Sequence, residues 1–414
     1  MTTTDNAATP ALRAATAMRV LKVRCTFLTP AFLGDAQQSG RWRTPPFKHL
    51  LREWWRVAYA VDHGFPADTA DMRREEGLLF GNAWLEDAFC KSLVRIRLEH
   101  WEEGALKKAN WPQDKQIEHP EVKNRKGQVA PIGSALYLGY GPLIYDNQQR
   151  RTLLKGNAAI QADESARLQL AWPEILPGDL RALLEKATPR PRSEKVGARL
   201  ERALWLVDRY GALGGRSRNG WGSCALTPLP QDGRLKAPLR PWRDCLALDW
   251  PHAIGSDELG ALIWQTEPHQ NWQALMKTLA ILKIGLRTQF VFTAERNAPH
   301  AEPRHWLSYP VTNHSITAWS SLRLPNQLRF KVRKTQNGAL VGVIFHMPHL
   351  PPPAFGPVRG NIERVWEQAH RLLDELTLDA NKRTYAMIPD VQPAYRRRSL
   401  KPSLDAISLK RIPE

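Results

Sequence analysis

The stretch Gly211–Ser223, GALGGRSRNGWGS, constrains this chain more than any other. It follows a run with helical spacing, Val196–Tyr210, in which Leu200, Leu204 and Val207 share a side and Gly211 is placed as a C-cap. It precedes a short strand-like run, Cys224–Leu229. A glycine loop leading from a helix into a strand is not a phosphate loop, which needs Gly-Lys-Ser/Thr. Nor is it a dinucleotide fingerprint, which opens a helix. Glycines such as Gly214 and Gly215 permit positive φ and close approach of backbone to a ligand. Between them and Gly220 lie Arg216, Ser217, Arg218 and Asn219, then Trp221. Two guanidinium groups, small polar side chains and an indole in one loop point to phosphate contacts and base stacking.

The rest of the chain supplies a frame for that loop. Val20–Phe27 alternates apolar and polar residues and predicts a first strand. Thr44-Pro45-Pro46 predicts a helix start with Thr44 as N-cap. The helix then runs Phe47–Val61, with Phe47, Leu50, Leu51, Trp54, Ala58 and Val61 on one face. Strand-like runs recur at 91–99, 134–140 and 167–172, while 101–130 is polar, broken by Pro112 and Pro120, and reads as an insertion or a mobile loop. Strand, helix, strands, helix, strand is the order of a ferredoxin-like unit enlarged by insertions. Prolines 228, 230, 238 and 241 mark a linker. Beyond it, Leu328–Arg333 and Ala339–Phe345 flank Asn337-Gly338 and predict a hairpin, and Asn361–Leu376 predicts an amphipathic helix.

Charge narrows the partner. The chain carries 59 Lys and Arg against 41 Asp and Glu, a net of +18 over 414 residues. The excess is concentrated: residues 181–240 hold 13 basic and 5 acidic residues, and 394–414 hold 6 and 2, with Arg396-Arg397-Arg398 among them. Clustered cations favour a polyanion, because neutralised phosphates release counterions. A second candidate surface is Arg41, Arg43, Lys48, His49, Arg52 and Arg56 around the first helix, with Trp55 at its edge. Backbone N–H groups at the helix start add to its pull on phosphate. A third is the hairpin face Arg329, Lys331 and Arg333, read as an exposed basic strip. The plain alternative for the last two is a solvated charged face.

Catalytic and metal signals are thin. His346 and His349 form an HxxH pair, but HExxH and GxSxG are absent, and Asp35 beside Gly34 reads as a turn residue. The four cysteines include no CxxC pair. We therefore expect no metal, no cofactor and no catalytic residue. No apolar run approaches the ~20 residues of a membrane span, and residues 1–17 lack a signal-peptide core. The expectation is a cytoplasmic protein with a disordered tail over 1–17 and no membrane partner.

Two of these segments also resemble a known family. Phe27-Leu28-Thr29-Pro30-Ala31-Phe32-Leu33-Gly34-Asp35, followed by Arg43-Thr44-Pro45-Pro46-Phe47-Lys48-His49-Leu50-Leu51-Arg52-Glu53-Trp54-Trp55-Arg56, resembles the N-terminal signature of the RAMP superfamily of CRISPR proteins. Gly214–Ser223 resembles its glycine-rich loop, and Tyr309–His314 is also similar. Within the superfamily, the similar group is the first subunit of the type III-B (Cmr) effector complex. Asp35 stands where the signature has a second glycine, and Glu53 where it has an aromatic. The resemblance implies an α+β chain of two ferredoxin-like (RRM-like) domains, each an antiparallel sheet with helices on one face. They would span 18–230, with the insertion near 101–130, and 231–414, with its basic tail. It further implies a non-catalytic subunit that contacts guide (CRISPR) RNA toward its 3′ end, captures target RNA, or does both, beside other Cmr-type subunits. The alternatives are a metal-independent guide-processing endoribonuclease of the same superfamily, with His49 or another histidine as base, and a structural scaffold subunit.

Overall fold

The computed structural model describes residues 17–84, 89–174, 192–229, 235–294, 296–385 and 400–413. The tail expected over 1–17, apart from Ala17, lies outside them, as do Arg396–Arg398 and residues 230–234 of the proline-rich linker.

The first half is built from β1 (Met18–Phe27), α1 (Thr44–Asp62), α2 (Ala70–Phe80), β2 (Arg95–Leu98), β3 (Ser165–Pro173), α3 (Arg192–Tyr210) and β4 (Cys224–Thr227). Its sheet runs β4-β1-β3-β2, and every pair is antiparallel. Phe27 lies opposite Cys224, Val23 opposite Leu168, and Ile96 opposite Leu170. Alternation along β3 buries Ala166, Leu168, Leu170 and Trp172 on one face. Phe47, Leu50 and Leu51 of α1 and Leu204 and Val207 of α3 pack on that face. Pro45 and Pro46 open α1 as expected, but its N-cap is Arg43, not Thr44, and no side chain caps it.

The second half repeats the plan with β5 (Ile263–Thr266), α4 (Trp272–Thr288), β6 (Leu328–Lys334), β7 (Leu340–His346), α5 (Arg359–Glu375) and β8 (Leu409–Arg411). The sheet runs β6-β7-β5-β8, again antiparallel throughout. Counted along the chain, both sheets have the spatial order 4-1-3-2. Leu328, Phe330 and Val332 are buried on the face that α4 and α5 cover. The opposite face is buried too. Phe345 sits 5.0 Å from the Tyr210 ring and 6.4 Å from Trp54, so the first half covers it.

Two expectations fail here. The insertion at 101–130 is not a mobile loop: it contains strands Leu106–Lys107, Gln116–Lys123 and Val129–Gly133. Trp111 and Ile117 anchor it in the core, with Trp111 5.9 Å from Trp221 and 6.2 Å from Trp272. Glu121 also forms a bidentate pair with Arg304 at 2.6 and 2.9 Å. The run 134–140 is not a strand. Ser134–Gly139 is a short helix whose first N–H groups bond to the Asp114 carboxylate.

Candidate nucleic-acid interface

The two family-like segments meet. Gly215 N–H donates to Phe32 O (3.0 Å), Gly222 N–H to Pro30 O (2.9 Å), and the Thr29 hydroxyl to Gly220 O (2.8 Å). The glycine loop is thus folded onto the Thr29-Pro30-Ala31-Phe32 turn. Two glycines have no substitute. Gly214 has φ +88°, and a Cβ there would lie 2.6 Å from Phe32 O; Gly222 has φ +65°, and its Cβ would lie 1.8 Å from Leu213 O. The loop is also stitched to the second half: Phe330 N–H donates to Arg218 O (3.0 Å) and Val332 N–H to the Ser223 hydroxyl (2.9 Å).

That stitching corrects the reading of the hairpin. Arg329, Lys331 and Arg333 do not form an exposed strip; they point into the junction between the halves. Lys331 is fully buried. Its Nζ donates to the carbonyl of Gly211, just past the end of α3 where the helix dipole is negative, and to that of Cys224 at the start of β4. Arg333 Nε donates to Arg209 O (2.7 Å). Arg329 is buried and donates to the Glu53 carboxylate of α1 at 2.7 Å. Burial pushes the Glu53 carboxyl up, but the guanidinium groups of Arg329 and Arg218 outweigh it and hold it below the usual carboxylate range.

The two tryptophans are not stacking platforms either. Trp221 is fully buried between Phe32 (5.1 Å), Trp111 and Trp272 (5.7 Å). Trp55 is fully buried against Tyr59 and Phe80.

The basic face of α1 is largely neutralised. Arg52 and Arg56 both bind Glu76, at 2.6 and 2.7 Å. Arg41 pairs with Asp35 (3.4 Å), and Arg43 donates to Gly34 O (2.9 Å). Among the described residues Lys48 and exposed His49 have no ion-pair partner. Burial and nearby Arg52 lower the Lys48 pKa. Asp35 is the turn residue expected: Ser39 N–H and Gln37 N–H donate to its carboxylate (2.9 and 3.0 Å), the first of these chiefly lowering its pKa.

The loop's own cations are different. Arg218 donates to Asn326 O (3.0 Å) and lines a cleft with Glu53, Ser217 and Arg329. Burial, then Arg329, lowers its pKa to about 10. Arg216 is exposed, at φ +59°, and donates to Tyr140 O (2.6 Å). Lys283 and Arg287 of α4 stand beside it, and neither was legible as a candidate in the sequence. Burial lowers the Lys283 pKa, and Arg287 and Arg216 lower it further. Lys283 Nζ bonds Asn219 Oδ1 at 2.6 Å. Among the described residues no carboxylate pairs with Arg216, Lys283 or Arg287. Arg216, Lys283 and Arg287 repel one another around the glycine loop, and the Glu121 carboxylate acts on Arg287 without pairing with it, so the cluster attracts an anion.

His346, His349 and His370 are core residues. His370 and His346 bond through Nε2 and Nδ1 (2.9 Å), and His349 Nδ1 meets Met347 O (3.0 Å). Among the described residues no group of three or more His, Cys, Asp or Glu is placed to hold a metal, and no helix is long and apolar enough to cross a membrane. Burial drives the His370 and His349 pKa values to about 3 and His346 well below its ordinary value. A depressed folded pKa means that the unfolded chain binds the proton first as pH falls below ~6.5. Each such imidazole then removes about 1.4 kcal/mol of stability per pH unit until its folded pKa is reached. Urea unfolding at about pH 7 and about pH 5.5 is expected to show lower stability in acid. An unchanged midpoint would mean that these imidazoles are not held neutral.

In a sequence comparison the RAMP superfamily model matches residues 24–225, from β1 through the glycine loop into β4. Residues 24–225 belong to the RAMP superfamily. No curated relative is matched. Solved structures with some likeness include Cmr1 from Pyrococcus furiosus in its apo form, at 14% identity and TM-score 0.38, over 83% of this chain and 92% of that one. A type III-B Cmr-beta complex bound to cognate target RNA has a chain with 11% identity and TM-score 0.39, over 84% and 99%. A type IV-B CRISPR complex gives 14% and 0.25, over 54% and 95%. These likenesses are loose, and the RAMP assignment rests on the sequence match.

Proposed function

We propose that this chain is a non-catalytic RNA-binding subunit of a type III-B CRISPR effector ribonucleoprotein, holding guide RNA toward its 3′ end, target RNA, or both. One observation carries the reading: Arg216, Lys283 and Arg287 gather around the glycine loop of a RAMP segment, and among the described residues no carboxylate forms an ion pair with them. A single-stranded RNA backbone supplies the missing negative charge. The order 4-1-3-2 in both sheets supports two ferredoxin-like (RRM-like) domains, 18–230 and 231–414, with the site at their junction. Gly214 and Gly215 let the chain turn under the phosphate, Ser217 and Arg218 line the adjoining cleft, and Asn219 holds Lys283. Its partners are guide and target RNA and the other Cmr-type subunits, in the cytoplasm.

The test is to recover the tagged protein from cells expressing its neighbouring genes and a repeat array, then to sequence the retained RNA. The expected result is uniform spacer-repeat guides with several co-purifying subunits, uncut by the isolated protein in EDTA. Heterogeneous RNA, or none, would contradict the subunit reading. Cutting at one position that His49→Ala abolishes would replace it with a processing ribonuclease.

A further inference from the structure

Both tryptophans expected to stack on bases are buried, yet an aromatic ring stands at the same site. Tyr140 is 66% exposed, and among the described residues no aromatic or cationic group packs on its ring. Its position is fixed through the backbone. The Tyr140 carbonyl accepts the Arg216 Nε–H at 2.6 Å. The next residue, Gly141, has φ +113°, and the Arg216 guanidinium lies 3.5 Å from where a Cβ would stand. Two residues before Tyr140, Leu138 O accepts from Asn219 Nδ2 (2.7 Å), and Asn219 Oδ1 accepts from Lys283 (2.6 Å). The short helix Ser134–Gly139 is therefore bolted to the cation cluster, and the ring at its end is left in water.

A large exposed ring costs apolar hydration with no packing in return. Beside cations that await phosphates, it offers the flat face that an unpaired base needs. We infer that Tyr140 is a base-stacking platform for single-stranded RNA whose adjoining phosphates rest on Arg216 and Arg287. The inference builds on the RNA-binding reading above and adds a ligand class: a nucleotide with its base unpaired. A duplex, whose bases are already stacked, is not held this way.

Fluorescence anisotropy with a short single-stranded oligouridylate tests it, using wild type, Tyr140→Ala and Tyr140→Trp. Tyr140→Ala is expected to bind about tenfold more weakly, the loss of one base stack, with an unchanged salt slope. Tyr140→Trp is expected to bind as tightly as wild type. An abasic oligomer of equal length is expected not to distinguish wild type from Tyr140→Ala. The side chain is exposed and the Arg216 contact is to the backbone, so truncation leaves the fold intact. If wild type binds RNA and Tyr140→Ala binds equally well, the stacking role is overturned and the phosphate site stands. If wild type binds no RNA, the functional reading falls and takes this inference with it.

Discussion

Arg216→Glu combined with Arg287→Glu lowers affinity for single-stranded RNA by at least about 100-fold. A hydrogen bond to a charged group contributes about 1.5–3 kcal/mol. Two lost phosphate contacts therefore remove ~3 kcal/mol or more, and every ~1.4 kcal/mol is a factor of ten. Reversing the charges adds repulsion to the loss. Folding is not the casualty, because among the described residues neither side chain forms an ion pair and both press on Lys283 as like charges. The measurement is anisotropy at one fixed salt concentration, with unfolding midpoints alongside. Wild-type affinity in a folded double variant would remove the site from the glycine loop.

The second large effect is on stability. Arg329→Ala is expected to destabilise the protein by about 3–5 kcal/mol, the cost of breaking a buried ion pair from one side. Arg329 spans the two halves: its guanidinium meets Glu53 at 2.7 Å and lies 6.0 Å over the Trp54 ring. Removing it leaves the Glu53 carboxylate in a half-open cleft, with only the weaker pull of Arg218 and His49. Replacing both partners by matched neutral groups, Arg329→Met with Glu53→Gln, is expected to restore most of the loss, since no charge is then stranded. The Glu53 contribution is present above the ordinary carboxyl value of 4.5 and disappears as pH falls through its lowered folded value. A loss below about 1 kcal/mol for Arg329→Ala, a typical surface ion-pair value, would show that the pair does not pin the halves together.

Much of this architecture was legible in the sequence. Phe47, Leu50, Leu51 and Trp54 mark the buried face of α1 because four-residue spacing leaves little else for them to do. The β6–β7 hairpin was legible from its alternation and from Asn337-Gly338. The fate of its basic face was not. A period of two says that two faces differ, not which one meets water, and here both are covered. Leu328, Phe330 and Val332 face helices, while Arg329, Lys331 and Arg333 face carbonyls and one carboxylate. Trp221 was misread for a related reason. An indole beside arginines reads the same whether its faces are free or filled, and the fillers, Trp111 and Trp272, come from distant segments. Glu53, an apparent departure from the family pattern, is explained only by Arg329, hundreds of residues away. Lys283 and Arg287 left a weak signal, two cations at i and i+4 on a mostly apolar helix that also carries Lys277. Nothing in one sequence says that such a pair will face the glycine loop.

The central claim is that the RNA site lies on the loop and α4 and not on the basic face of α1, although the residue types are alike. The most direct test is the salt dependence of RNA affinity for wild type and two neutralised variants, Arg216→Gln with Arg287→Gln, and Arg52→Gln with Arg56→Gln. Each phosphate contact contributes about 0.7 to the slope of log affinity against log salt for a single strand. The first pair is expected to flatten the slope by about 1.4. The second pair, already bound to Glu76, is expected to leave it unchanged. A flattened slope in the α1 pair with a wild-type slope in the loop pair would contradict the account.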